Sequence, residues 1–139
     1  MQVQQENAVI DKLREAGITP TQQRVEIAQV LFARPQHLSA EQVLRRVNEN
    51  GDLVSKATVY NTLNLFAKKG LVREVIVDPT KVFYDSTTTD HHHIYNVDTG
   101  TLMDVSPELI RLGGLPELPP GTIKDGVEVI IRVKNTAEA

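Results

Sequence analysis

The chain has 139 residues and a mass of 15.5 kDa, room for one domain of about 100–150 residues or two subdomains of about 70, which excludes a large multidomain enzyme. Apolar residues make up 40% and charged residues 24%, with 8 Gly and 7 Pro, a composition that folds rather than stays disordered. With no cysteine, disulfides, thiolate zinc sites and cysteine nucleophiles are excluded, and every metal ligand must be His, Asp, Glu or Tyr. Net charge is −3, but residues 1–86 carry 11 Lys+Arg against 10 Asp+Glu and residues 87–139 carry 4 against 8. So weak an average does not establish nucleic-acid binding, and the placement of individual basic residues has to decide. The N-terminal MQVQQENAVI lacks the basic flank and apolar run of a secretory leader, and no segment approaches the ~18 apolar residues of a membrane span. A cytoplasmic chain with no membrane partner is expected, and its small half-chains favour self-association or a bound ion as added stabilisation.

The first half reads as helices with marked ends. Val9, Leu13 and Ala16 share a face of a first helix that stops at Gly17. Thr19, Pro20 and Gln22 have the form of a capping box opening a second helix, which carries Val25, Ala28 or Gln29, and Phe32 to a stop at Arg34-Pro35. Ser39 with Gln42 repeats the box before a third helix that buries Val43, Leu44 and Val47 and closes at Asn50-Gly51-Asp52. Ser55 caps a fourth, from about Lys56 to Lys68, with Val59, Leu63 and Phe66 as its buried stripe and Gly70 past its end. LVREVIV and KVFYDS, split by Asp78-Pro79-Thr80, predict a two-stranded hairpin, and helices followed by such a wing make a winged helix-turn-helix. Beyond Ser86, HHHIYNV, the Asp98-Thr99-Gly100 turn and TLMDV predict a second hairpin. SPELIRL reads as a helical stretch and VEVIIRV as a last strand, in a segment whose open sheet edge favours dimerisation.

Two groups of residues carry chemistry. On a strand His91 and His93 point to one face and His92 to the other. Asp85 precedes the run, Asp104 lies on the facing strand of the hairpin, and His37 sits between the second and third helices. If these meet, three imidazoles and two carboxylates suit Fe²⁺ or Mn²⁺ better than a four-coordinate structural zinc. Haem on His91, His92 and His93 is the second reading, because imidazole is a standard axial ligand. The blander account has chance surface histidines, a His37 that merely caps a helix, and solvated aspartates. On the fourth helix Lys56, Tyr60, Asn61 and Asn64 share the outer face, beside Ser55 and Thr58 of the first turn. As a DNA reader, Asn61 would pair with adenine, Tyr60 would meet a thymine methyl or phosphate, Lys56 and the helix start would hold phosphates, and Arg24 would clamp the backbone. A solvated helix face is the commoner meaning of such a surface. No Ser-His-Asp set, P-loop or dinucleotide fingerprint is present, so an enzyme is not expected.

GITPTQQR, HLSAEQVL, KATVYNTLNLFAKKGLV, Phe83-Tyr84-Asp85 and DHHHIYNVDTG together resemble the ferric uptake regulator (Fur) family over essentially the whole chain. The histidine run without cysteine, followed by GGLPELPPG and VEVIIRV, is most similar to the iron response regulator (Irr) branch. The resemblance implies an α+β fold: an N-terminal winged helix-turn-helix domain over residues 1–86 and a small α/β dimerisation and ligand-sensing domain over residues 87–139. It implies a homodimeric transcription regulator of iron and haem genes that reads a pseudo-palindromic operator in double-stranded DNA and whose grip haem weakens. By position, His37, Asp85, His91, His93 and Asp104 match the family's regulatory metal site, Tyr60 its recognition-helix tyrosine and Arg24 its backbone-contacting arginine. His91, His92 and His93 match the residues assigned to haem. Asn96 and Thr99 stand where the family often has the first cysteine pair of a structural zinc, so no four-cysteine structural zinc is expected; Asn61 stands where many members have Arg, and the N-terminal Cys-Pro haem motif is missing. Two alternatives stay open: an Fe²⁺- or Mn²⁺-dependent ferric uptake or peroxide-type repressor activated by metal, and a haem- or metal-buffering protein that does not bind DNA.

Overall fold

The computed structural model describes residues 2–49, 54–89 and 91–137, and the chain divides into two compact units, residues 1–88 and 89–139. The first unit runs α1 (Gln2–Glu15), α2 (Gln22–Phe32), β1 (His37–Ser39), α3 (Ala40–Val47), α4 (Lys56–Lys68), β2 (Arg73–Asp78) and β3 (Lys81–Asp85). α1 buries Val9 and Leu13 and ends in a Schellman motif, with Ile18 N–H donating to Leu13 O and Gly17 N–H to Arg14 O, each at 2.9 Å. Gly17 has φ +78°, a left-handed conformation that strains any residue with a Cβ. α4 closes the same way at Gly70, where Leu71 N–H donates to Phe66 O at 2.9 Å.

α2 begins two residues later than its sequence suggests. Its N-cap is Thr21, extended at φ −107° and ψ 161°, whose Oγ1 accepts from Arg24 N–H at 3.3 Å. Thr19 instead offers its carbonyl to the Arg24 guanidinium at 2.9 Å. Both threonines carry a capping oxygen, and the fixed φ of Pro20 serves an extended approach as well as a first turn. α3 has the full capping box: Gln42 N–H donates to Ser39 Oγ at 3.2 Å and Ser39 N–H to Gln42 Oε1 at 2.9 Å. The expected Asn50-Gly51-Asp52 turn lies outside the described residues, but Asn48 reaches across it, donating to Val54 O at 3.0 Å and accepting from Val54 N–H at 2.8 Å. Ser55 Oγ caps α4 by accepting from Thr58 N–H at 3.1 Å, and Val59, Leu63 and Phe66 are fully buried with Leu13, Ile27 and Leu31 in one core.

The wing, expected as a two-stranded hairpin, is a three-stranded antiparallel sheet in the order β1-β3-β2. The hairpin turn is an Asx-turn in which Asp78 Oδ1 accepts from the Thr80 N–H and hydroxyl, each at 2.7 Å. The additional strand pairs His37 with Asp85, Leu38 with Tyr84 and Ser39 with Phe83. Three residues are too few to display alternation, and their partner is distant in sequence, so no local signal announces β1.

The second unit contains β4 (His92–Asn96), β5 (Leu102–Val105) and β6 (Ile130–Val133), with β4 central, antiparallel to β5 and parallel to β6. Asn96 Oδ1 organises the β4–β5 turn by accepting from Asp98 N–H at 2.9 Å and Thr99 N–H at 3.1 Å. SPELIRL does not form the expected helical stretch: it contracts to one 3-10 turn, Pro107–Leu109, with no buried residue. Gly113-Gly114 follow at once, leaving neither the length nor the apolar face that offsets helix nucleation. The chain is thus mixed α and β; among the described residues four α-helices lie in the first unit, a winged helix-turn-helix, and no described helix is long and apolar enough to cross a membrane.

Deleting the buried ring in Phe66→Ala is expected to cost about 3–5 kcal/mol of unfolding free energy in urea denaturation. Ser39→Ala should cost about 0.5–2 kcal/mol through the lost cap. Asn64→Ala, on the exposed side of α4, is the reference and should stay within about 0.5 kcal/mol of the parent.

Candidate functional site

In the first unit the β1–β3 register sets His37 opposite Asp85, with His37 Nε2 3.2 Å from Asp85 Oδ2. Asp85 is buried, and its Oδ1 accepts from Thr87 N–H at 2.9 Å, which fixes the carboxylate plane. Burial, reinforced by Glu74 and Tyr60, pushes the phenol of Tyr84, the preceding residue on β3, above its ordinary 10.0.

In the second unit β4–β5 pairing sets His93 opposite Asp104. Asp104 Oδ1 lies 3.0 Å from His91 Nε2 and 3.3 Å from His93 Nε2, and the two rings are 4.5 Å apart at their centroids. The hydrogen bonds behind the rings identify the nitrogens. A carbonyl or carboxylate oxygen accepts, so the protons sit on His91 Nδ1, 2.7 Å from Thr89 O, and on His93 Nδ1, 2.8 Å from Glu128 Oε1. Nε2 of both rings then faces one carboxylate oxygen, and a proton on Nε2 or a metal ion can join nitrogen to oxygen there. Imidazole Nε2 donors with Nδ1–H anchored behind them are the arrangement of metal-ligating histidines.

His92 is disposed the other way. Its Nδ1 accepts from Val129 N–H at 2.9 Å, so the proton of the neutral ring is on Nε2 and that nitrogen is not a ligand. His93 is fully buried, and His91 and His93 share one small focus. Of the three histidines expected to take haem, His91 and His93 share a focus that fits a compact cation, and His92 faces away from it. Sequence reasoning missed Glu128 and the Thr89 carbonyl. The only hint of Glu128 was its place in the alternating VEVIIRV, which carries no sign of a histidine partner.

The candidate DNA-reading residues fall into two kinds. Lys56, Asn61 and Asn64 are exposed on α4, and the Lys56 ammonium lies 5.8 Å from the centre of the half-buried Tyr60 ring. Ser55 and Thr58 are occupied with the cap, Ser55 Oγ also donating to Thr58 Oγ1 at 2.9 Å. Arg24 stands on α2, steadied by Thr19 O with further guanidinium donors to offer.

The sequence profile of the Ferric uptake regulator family matches residues 15–112. The peroxide-responsive repressor PerR of Staphylococcus aureus strain Mu50 is 32% identical over 109 residues, 78% of this chain and 74% of that protein. The ferric uptake regulator from Pseudomonas aeruginosa, solved with manganese, is similar at a TM-score of 0.69 and 28% identity over 91% of this chain and 97% of that one. The Francisella tularensis ferric uptake regulator with iron gives 0.69 at 25% identity over 87% and 94%. A profile spanning both units, a relative sharing most of its length and a common winged-helix architecture lead to one conclusion: this chain belongs to the ferric uptake regulator family.

Proposed function

We propose that this chain is a metal-responsive, DNA-binding transcription regulator that works as a cytoplasmic homodimer and is not an enzyme. The observation that carries the reading is the convergence of His91 Nε2, His93 Nε2 and Asp104 Oδ1, with both rings holding their protons on the far nitrogen. His37 and Asp85 would complete the ligand set, giving three nitrogen and two oxygen donors, a mixture that suits Fe²⁺ or Mn²⁺. A bound divalent cation supplies the positive charge that two carboxylates and three lone pairs call for. In a dimer the bound cation would govern whether two α4 helices meet the halves of a pseudo-palindrome about one DNA turn apart. On α4, Asn61 and Asn64 face the bases, while Lys56, Tyr60 and the capped start at Ser55 and Thr58 lie along the phosphates with Arg24 of α2.

The finer reading is an iron response regulator of iron and haem genes whose hold on DNA haem weakens. Its support is the His91–His93 run in a cysteine-free chain. The acceptor role of His92 Nδ1 and the burial of His93 favour the cation instead.

DNA-binding titrations on a promoter fragment selected by the wild-type protein test both. Mn²⁺ is expected to tighten binding about 5- to 150-fold, and His93→Ala or Asp104→Ala should abolish that response. Loss of binding on adding haem, with no requirement for Mn²⁺, would instead establish the finer reading. Tyr60→Ala should weaken DNA binding with Mn²⁺ present or absent, and Lys56→Ala should reduce the slope of log K against log salt by about 1. A chain that takes up metal but retains no DNA, with Tyr60→Ala indistinguishable from the parent, would be a buffering protein.

A further inference from the structure

We propose that Glu128 is a positioning residue of the metal centre, holding His93 in the tautomer and orientation that ligate a divalent cation. The inference deepens the metal-responsive reading and rests on it. Glu128 Oε1 lies 2.8 Å from His93 Nδ1, on the ring edge opposite the Nε2 that faces Asp104. It therefore stands behind the imidazole and is no member of the ligand set. Its place is fixed by the next residue, which is clipped to the histidine run twice: Val129 N–H donates to His92 Nδ1 at 2.9 Å and Val129 O accepts from His93 N–H at 3.1 Å. From there β6 runs parallel to β4, with Ile130 paired to His93.

The chemistry follows from what a carboxylate does to an imidazole. Accepting from Nδ1–H keeps the proton on that nitrogen and the lone pair on Nε2, opposes rotation of the ring, and strengthens Nε2 as a donor. The two histidines facing Asp104 are consequently unequal. His91 leans on the neutral carbonyl of Thr89, whereas His93 leans on a carboxylate, so His93 is the stronger donor and the one whose support is a separate, mutable side chain.

Calorimetric titration of the purified full chain with Mn²⁺ tests this. Glu128→Ala is expected to weaken Mn²⁺ binding ~10–100-fold, the usual cost of removing such a partner. Glu128→Gln keeps an oxygen acceptor without the charge and should fall between Ala and the parent. The upward shift of the thermal midpoint caused by Mn²⁺, read for each variant against its own metal-free midpoint, should shrink in the order Glu, Gln, Ala. Should Glu128→Ala fail to fold, Glu128→Gln alone decides, and parental Mn²⁺ affinity in it overturns the inference. Parental affinity in Glu128→Ala, or a Mn²⁺-induced midpoint shift equal to the parent's, also overturns it and leaves the metal-responsive reading standing. A wild-type chain that takes no Mn²⁺ removes that reading and this inference together.

Discussion

Everything specific about the second unit follows from one electrostatic constraint: the Nε2 lone pairs of His91 and His93 and a carboxylate oxygen of Asp104 point at the same place. A cation at the focus would engage all three groups at once, with His91 and His93 buried on one side and Asp104 open to solvent on the other. The Nδ1 hydrogen bonds to Thr89 O and Glu128 Oε1 matter because they fix both rings with Nε2 toward Asp104.

In both units a histidine and an aspartate are brought together by strand register. His37 faces Asp85 across β1–β3, and His93 faces Asp104 across β4–β5. Sheet pairing is a stiff way to hold ligands, because the ladder fixes the backbone on both sides and leaves only the side-chain torsions to adjust. The same pairing explains why His92 differs from its neighbours: alternation turns it to the other face, where a backbone N–H from the segment leading into β6 takes its Nδ1.

The helix-turn-helix shows a related division of labour. Ser55 and Thr58 look like phosphate ligands in the sequence, yet their hydroxyls satisfy the start of α4 and each other. That leaves Lys56, Asn61 and Asn64 as the exposed polar inventory, with Tyr60 half-buried among them. A well-capped α4 packed through Val59, Leu63 and Phe66 is a rigid support for those side chains, as a reader of base edges requires.

Much of this was legible in the residues. Capping signatures at Ser39 and Ser55, glycines at 17 and 70, the buried stripe of α4 and the Asp98-Thr99-Gly100 turn are short-range signals whose physics acts within a few residues, and the chain follows them. Even the candidate ligands could be named, because histidine and aspartate are the cysteine-free chain's metal-binding vocabulary. What the residues could not disclose depends on partners far apart in the chain. β1 exists only because β3 is there to pair with it, the choice of Thr21 over Thr19 depends on where the Arg24 guanidinium settles, and SPELIRL stays unwound because it finds nothing to pack against. Above all, Glu128 acquires its role from a parallel pairing that lays the end of the chain against β4. Local propensity is written in neighbouring residues, whereas proton placement on a buried ring is set by whatever the completed fold puts behind it.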